Sequence, residues 1–238
     1  MNEDIRLNKY IAECGICSRR EADKLIADKR VTLNGEYPQP GDRVSAGDVV
    51  CVDDKEIKPL AKKVVLAYYK PPGVTVSEAD PHAEQTIKDV IDYPVRVTYA
   101  GRLDKDSEGL LLLTNDGDLI HAMMQGRAGH EKEYIVKLDR EPEASVIEKL
   151  AKGVYLRELK QRTKPCRIDK IKRNMVRMVL TEGLNRQIRR MWESEGYRIR
   201  ALKRIRVVSV SLGDLRPGEY CELTGAQTDE LYKAVGLK

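Results

Sequence analysis

The chain has 238 residues, of which 41% are hydrophobic and 34% charged, and its formal net charge is +5. This length can bury a substantial core in one or two domains, and the small basic excess is only a weak indication of a nucleic-acid partner. No apolar run approaches the ~20 residues that a membrane-spanning helix needs, and the charged start MNEDIRLNKY lacks the apolar segment of a signal peptide. We therefore expect a cytoplasmic protein that acts at no membrane.

The cysteines give no sign of a disulfide or metal framework. Their number, five, is odd, which suits reduced thiols in a reducing compartment. Cys14 and Cys17 form a single CxxC pair, no second pair follows, and none of the three histidines lies near it in sequence. The pattern indicates that the two cysteines act as small apolar residues at the turn between two helices, and we expect no metal site.

The first 58 residues are predicted to form a small α/β domain. Leu7, Ile11 and Cys14 recur at helical spacing, and Ser18-Arg19-Arg20-Glu21 is a capping box that opens a second helix. The strands expected after these helices are 31–33 and 49–52.

Three stretches of this domain, LNKYIAECGICSRREADKLI, VTLNG and PGDRVSAGDVV, resemble the S4-like RNA-binding domain. The resemblance implies that the two helices dock on structured RNA. Basic groups on one face supply affinity for phosphates without reading sequence, although such a face can also be merely solvated. The candidate phosphate contacts are Arg6, Lys9, Arg19, Arg20 and Lys24. Residues 59–63 are polar and contain a proline, so we expect a linker before a larger domain at 64–238.

Strands and helices intersperse along the larger domain, which predicts an α+β fold with a largely antiparallel sheet. The expected strands are 64–69, 131–138, 176–180, 207–212 and 220–224, and the expected helices are 85–91, 117–125, 142–153 and 185–196.

The most informative stretch is GRLDKDSEGLLLLTNDG at 101–117. Asp104 lies in a short loop beside Arg102, and the loop leads into four leucines that predict a buried strand. The strand ends at an Asn-Asp-Gly turn. A carboxylate at the mouth of a rigid strand is held in place by packing, as a catalytic group must be. The alternative is an ion pair that caps the loop.

This stretch resembles the catalytic motif of the bacterial ribosomal pseudouridine synthases, the RsuA/RluB/RluE/RluF family. Matching segments are KPPG at 70–73, HEKEY at 130–134 and GLNRQIRRM at 183–191, and the last two are most similar to the RluF branch. The resemblance implies the pseudouridine synthase fold, a mixed and largely antiparallel sheet with flanking helices, preceded by the S4-like domain.

The resemblance also implies roles for individual residues. Asp104 is the essential carboxylate, Tyr134 stacks on the target base, and Arg189 pairs with the carboxylate. An adjacent arginine lowers the pKa of a carboxyl that burial would raise, and so keeps it ionised. Arg102 is expected to hold the extruded nucleotide or its gap, because a buried carboxylate can meet only a flipped base. Further substrate contacts are expected from Lys70, Arg186 and Arg190.

The implied reaction breaks the N1–C1′ bond of uridine and rejoins the base through C5. No atom is lost, so no cofactor is expected. Asp104 has two routes, attack on C1′ or removal of the 2′ proton, and the sequence does not choose between them. The implied partner is ribosomal RNA, with 23S rRNA ahead of 16S rRNA and tRNA, free or in pre-ribosomal particles, and the expected state is a monomer.

Two other functions fit parts of the sequence. An S4-like domain also suits a non-catalytic rRNA-binding or ribosome-assembly protein. A carboxylate-dependent hydrolase of nucleosides or sugars would need a second acid beside Asp104, for which Glu108 and Glu182 are the nearest candidates.

Overall fold

The computed structural model describes residues 4–60, 62–78, 80–125 and 129–237. The chain divides into two compact units. The first comprises Met1–Val64, Tyr93–Val97 and Asn115–Gly117, and the second comprises the rest. Within the described ranges, no helix combines the length and the apolar character needed to cross a membrane.

The first unit pairs two helices with short strands around one apolar core. The second helix begins at the predicted capping box, in which Glu21 N donates to Ser18 Oγ at 3.2 Å and Ser18 N donates to Glu21 Oε2 at 2.8 Å. Leu7 and Ile11 of the first helix are buried against this helix and the strands. The elements are β1 (Ile5–Arg6), α1 (Leu7–Glu13), α2 (Arg19–Ala27), β2 (Val31–Leu33), β3 (Arg43–Val44), β4 (Val50–Val52) and β5 (Lys55–Glu56).

Residues at the start of the expected linker, and just before it, bind to this first unit. Ile57 is buried, and its carbonyl accepts a hydrogen bond from Tyr10 Oη at 3.3 Å. Leu60 N donates to the carbonyl of Glu13 at 3.2 Å. The first unit therefore holds the chain as far as Leu60.

The second unit contains most of the regular structure. Its strands are β6 (Val65–Lys70), β7 (Thr98–Tyr99), β8 (Glu108–Thr114), β9 (Lys132–Leu138), β10 (Tyr155–Leu156), β11 (Gln161–Arg162), β12 (Arg167–Lys172), β13 (Met175–Leu180), β14 (Ile199–Val207), β15 (Val210–Ser211) and β16 (Tyr220–Glu222). Its helices are α3 (Ile87–Val90), α4 (Gly117–Met124, whose first residue belongs to the first unit), α5 (Ala144–Ala151), α6 (Gln187–Ser194) and α7 (Gly225–Ala234), with a short 3₁₀ turn at Arg157–Leu159.

A mixed sheet organises this unit. In the described residues it has nine strands in the order β12-β13-β9-β14-β8-β6-β16, with β15 added beside β14 and β7 beside β8. Every pairing is antiparallel except that of β14 with β8. The predicted α+β class and the largely antiparallel sheet are confirmed.

Strand β8 lies near the middle of the sheet, and its four leucines are almost completely buried. A run of apolar residues without alternation is typical of a strand covered on both faces. One face packs with α4 and α7 in an apolar cluster that includes Leu110 and Leu112. This burial fixes the strand that follows the Asp104 loop.

The expected strand at 207–212 is wrong. The long strand β14 ends at Val207, and a tight turn leads into the two residues of β15. Val208, in this turn, has φ +55°, so the chain reverses there instead of continuing as a strand. In this unit, strands β7, β10, β11 and β12, the part of β14 before Val207, and helix α7 were not predicted.

Candidate active site

A cavity of about 550 Å³ opens in the second unit, beside the loop that joins β7 to β8. It is lined by the predicted residues Arg102, Asp104, Tyr134 and Arg186. Asp104 and Tyr134 are half-buried, and Arg102 is exposed. The structure thus brings Tyr134 of β9 to the loop that carries Arg102 and Asp104.

The backbone of the Asp104 loop is held from several directions. The carbonyl of Arg102 accepts a hydrogen bond from Arg204 Nη1 at 3.1 Å. The carbonyl of Lys105 accepts from Gly73 N at 2.9 Å and from Lys70 Nζ at 3.2 Å. These bonds fix the chain on both sides of Asp104. The carboxylate itself has no hydrogen bond or ion pair among the described residues, so it is available to a ligand in the cavity.

Lys70 does not serve as the expected substrate contact. Its side chain is completely buried, and Nζ also donates to the carbonyls of Pro71 at 2.8 Å and Val74 at 2.9 Å. All three ammonium protons are therefore used within the protein. Burial lowers the pKa of Lys70 to about 8, and the negative charge of Asp104 opposes that shift.

Arg189 contacts the loop but does not form the expected ion pair with Asp104. Its Nη2 donates to the carbonyl of Asp106 at 3.1 Å and to Ser107 Oγ at 3.2 Å. Ser107 is fully buried, which fixes this contact. The Nε of Arg189 is buried and has no partner among the described residues.

Arg186 and Arg190 have different surroundings. Arg186 precedes the helix with φ +50° and lines the cavity, where Nη1 is 3.4 Å from Asp106 Oδ2. Arg190 lies outside this cavity. Its Nε donates to the carbonyl of Asn185 at 3.0 Å, and Nη1 forms an ion pair with Glu158.

Tyr134 comes from β9, and two other polar residues of the same stretch also line the cavity. His130 and Lys132 precede Tyr134 by four and two positions, and residues two apart along a strand share a face. Lys132 Nζ donates to the carbonyl of His130 at 3.2 Å. Burial and, secondarily, the charge of Arg204 lower the pKa of Lys132.

Sequence reasoning missed Lys132 and Arg204. Lys132 could have been found from the alternation of HEKEY, because it shares a strand face with Tyr134. Arg204 gave no such signal, since KRIRV resembles an exposed basic segment, yet its side chain is only 4% exposed.

The two acids considered for hydrolysis are already engaged. Glu182 lines the cavity, but its Oε1 accepts hydrogen bonds from Gln187 Nε2 at 2.7 Å and from Lys164 N at 2.8 Å. Glu108 Oε2 accepts from Tyr69 Oη at 2.5 Å. Glu108 is not among the residues that line the cavity, and in Glu182 both bonds go to one of the two carboxylate oxygens. The described residues contain no group of three or more His, Cys, Asp or Glu that could hold a metal ion.

The side chains predicted to contact phosphates in the first unit differ in their exposure to solvent. Arg6, Arg19, Arg20 and Lys24 are exposed. Lys9 is half-buried and lies 3.5 Å from Glu13, one helical turn away. Arg20 and Lys24 share a face of α2, because residues four apart on a helix are neighbours.

Family models match both units of the chain. Residues 64–194 match the RNA pseudouridylate synthase family, and residues 5–50 match the S4 domain. A solved structure described as a pseudouridylate synthase is 31% identical to the chain, with a TM-score of 0.71, and the match covers 95% of the chain and 99% of that structure.

Curated relatives are similar over almost the whole chain. The dual-specificity RNA pseudouridine synthase RluF of Escherichia coli K12 is 42% identical over 236 residues, which is 98% of this chain and 80% of that protein. An RNA pseudouridine synthase of Aquifex aeolicus is 33% identical over 99% of this chain and 96% of its own length. Ribosomal large subunit pseudouridine synthase B of Xanthomonas campestris is 36% identical over 98% of this chain and 50% of that protein.

Proposed function

The chain belongs to the RNA pseudouridylate synthase family, and we propose that it isomerises specific uridines of 23S rRNA to pseudouridine. It is an enzyme of RNA modification with an S4 domain. The large-subunit substrate is supported by the similarity to ribosomal large subunit pseudouridine synthase B, and action on RNA is supported by the similarity to the dual-specificity RNA pseudouridine synthase RluF. 16S rRNA and tRNA rank behind 23S rRNA as substrates.

One observation carries the catalytic assignment: in the described part of the chain the carboxylate of Asp104 has no partner, and it faces a cavity that it shares with Tyr134. The surrounding loop is fixed through its backbone, so the protein orients the carboxylate without occupying it. A catalytic group that is held in a fixed orientation before the substrate binds lowers the barrier to reaction.

Two balanced routes are open to this carboxylate. In the first, an Asp104 oxygen bonds to C1′ as the N1–C1′ bond breaks, and after the uracil anion rotates, C5 displaces the carboxylate from C1′. In the second, Asp104 removes the proton on C2′ as the base leaves, which forms a C1′=C2′ double bond, and the proton returns to C2′ as C5 bonds to C1′. Both routes end with loss of the C5 proton and protonation of N1, so no atom is gained or lost.

The residues around Asp104 have complementary roles in this proposal. The target base leaves its helix to reach the cavity, and exposed Arg102 at the cavity mouth holds the extruded nucleotide or its gap. Tyr134 stacks on the base from β9, and Arg186 contacts the RNA backbone. Arg189 keeps the loop in place and supplies positive charge beside it.

The two parts of the chain divide the task. We assign residues 1–58 to an S4-like RNA-binding domain, 59–63 to a linker and 64–238 to the catalytic domain. Exposed Arg6, Arg19, Arg20 and Lys24 bind phosphates, and Lys9 assists them. The enzyme acts as a monomer in the cytoplasm, on free rRNA or on pre-ribosomal particles.

The decisive experiment maps pseudouridine in rRNA and tRNA from cells that lack this gene and carry the wild type, Asp104→Asn or Asp106→Asn. We expect one large-subunit site to lose its mark without the gene, and Asp104→Asn not to restore it. Asp106→Asn changes an exposed acid of the same loop and should act within about threefold of wild type, because exposed ion pairs contribute little. An active Asp104→Asn would remove the catalytic assignment, and marks unchanged by gene loss would favour the non-catalytic RNA-binding protein.

A further inference from the structure

We propose that Arg204 is a positioning residue that sets the rate of isomerisation by holding the two ends of the Asp104 loop. The inference rests on the proposed role of Asp104. Arg204 lies on β14, far along the chain from the motif that it supports.

The guanidinium of Arg204 connects two backbone carbonyls that flank Asp104. Nε donates to the carbonyl of Leu110 at 2.7 Å, and Nη1 donates to the carbonyl of Arg102 at 3.1 Å. The first carbonyl belongs to rigid β8, and the second to the start of the loop. The planar guanidinium donates to these two acceptors from two separate nitrogens in a fixed geometry, whereas a lysine would have to reach both from one nitrogen on a flexible stem.

The backbone of Arg204 lies between the strands that supply the other parts of the site. On one side it pairs with Gly109 of β8, and on the other with Tyr134 of β9. A Cβ on Gly109 would come within 2.2 Å of the Arg204 carbonyl oxygen, so the two strands touch at this point. A displacement of Arg204 would therefore move both Asp104 and Tyr134.

Packing alone does not explain an arginine here. The side chain is 4% exposed, and no carboxylate pairs with it among the described residues. Buried Lys70 and half-buried Lys132 already place two positive charges near Arg204, and the charge of Arg204 lowers the pKa of both, so a third cation is disfavoured. A buried charge of this kind is costly, and an apolar residue of similar volume often replaces one without loss of stability. A buried guanidinium at this position is therefore explained by its hydrogen bonds to the Asp104 loop and by the positive charge that it places near Asp104.

The test compares Arg204→Lys with Arg206→Lys in the full-length protein. Arg206 lies two residues further along β14, but it binds Glu131, Glu133 and the carbonyl of Val208, away from the loop. Three quantities are measured: the thermal midpoint, the Kd for a large-subunit RNA fragment, and the single-turnover rate with saturating RNA.

We expect Arg204→Lys to fold and to bind RNA within about twofold of wild type, and its rate to fall about 100-fold, the effect of a displacement of about 1 Å at a reacting group. Arg206→Lys should keep the wild-type rate. A rate of Arg204→Lys within about threefold of wild type, or an equal loss in Arg206→Lys, would overturn the proposal.

If Arg204→Lys does not fold, Arg204→Met, which keeps much of the volume, is measured in its place with the same expectation. Failure of both variants to fold would assign Arg204 to the stability of the sheet and overturn the positioning role. An active Asp104→Asn would instead remove the proposed function. An inactive Asp104→Asn with a fully active Arg204→Lys would overturn this inference alone.

Discussion

Lys70 Nζ donates to the backbone carbonyl of Lys105, the residue after Asp104, at 3.2 Å. The lysine belongs to the last position of β6, and its other two bonds hold the KPPG turn. A completely buried ammonium therefore ties the turn to the loop that carries Asp104. Lys70 thus supports the site through its hydrogen bonds and its charge, with all three of its ammonium protons used within the protein.

This arrangement predicts a specific pH dependence of stability. Burial lowers the pKa of Lys70 to about 8 in the folded state, from 10.5. Below pH 8 the lysine is protonated in both states, and its burial penalty is constant. Between pH 8 and 10.5 the unfolded chain binds more protons than the folded chain, so this group makes the free energy of unfolding rise with pH.

Lys70→Met isolates that contribution. Burial raises the pKa values of the Cys14 and Cys166 thiols to about 12 and about 11, and these groups act in the opposite direction in the same range. The measured quantity is therefore the free energy of unfolding of wild type minus that of Lys70→Met, from urea titrations between about pH 7 and 9.5. We expect it to rise by up to about 1.4 kcal/mol per pH unit above pH 8. A difference independent of pH would mean that Lys70 is not the titrating group.

Arg189 and Arg190 are neighbours in sequence, but the structure predicts different effects for them. Arg189→Ala removes the contacts with Asp106 and Ser107 and should lower the single-turnover rate about 100-fold or more while RNA binding persists. Arg190→Ala removes an ion pair with an exposed glutamate outside the cavity, so its rate should stay within about threefold of wild type. Single-turnover rates and Kd values for the same RNA check both. Equal losses of rate in the two variants would mean that the contacts of Arg189 with the loop have no special effect on the reaction.

Local signals accounted for the parts of the fold that the sequence predicted. The capping box at Ser18 and Glu21 depends on residues three apart, and it formed as expected. The leucine run of β8 and the Asp104 loop also carry their signal within a few residues. The same kind of signal was present at Thr224 and Gln227, whose reciprocal hydrogen bonds open the unpredicted helix α7.

Long-range pairing accounted for what could not be predicted. The burial of Arg204 depends on its bond to Leu110, 94 residues away. The orientation of Arg189 depends on Ser107, 82 residues away. A family motif suggests that such side chains meet, but only the packed sheet decides which atoms bind. The expected pairing of Arg189 with Asp104 differed from the structure for this reason.

Gly109 is predicted to be essential for the parallel contact between β8 and β14. It has φ +109°, and a Cβ there would approach the backbone oxygen and nitrogen of Arg204 to 2.2 and 2.7 Å. Gly109→Ala should therefore separate the strands and lower the free energy of unfolding by more than about 3 kcal/mol. Gly218→Ala is the matched control, because Gly218 has φ +89° and no atom within 4 Å of the added Cβ. Its loss should be limited to the backbone strain of about 1–2 kcal/mol. Urea unfolding measures the free energy of unfolding of both variants. Equal losses in the two variants would show that the close contact between β8 and β14 adds nothing to the cost of Gly109→Ala.

The exposed face of α2 carries two basic side chains that we predict to bind RNA. Arg20 and Lys24 lie one turn apart, and both are exposed. If both bind phosphates, the double variant Arg20→Ala, Lys24→Ala should weaken RNA binding and reduce the slope of log K against log salt by about 1.4 to 1.8, since each contact contributes about 0.7 to 0.9. Arg30→Ala is the control, because Arg30 is also exposed but already binds Asp53 through Nε at 2.7 Å. It should leave the slope unchanged. Filter binding of a large-subunit RNA fragment over a series of salt concentrations gives the slope for the wild type, the double variant and Arg30→Ala. An unchanged slope in the double variant would mean that this face is solvated and that RNA binds elsewhere on the chain.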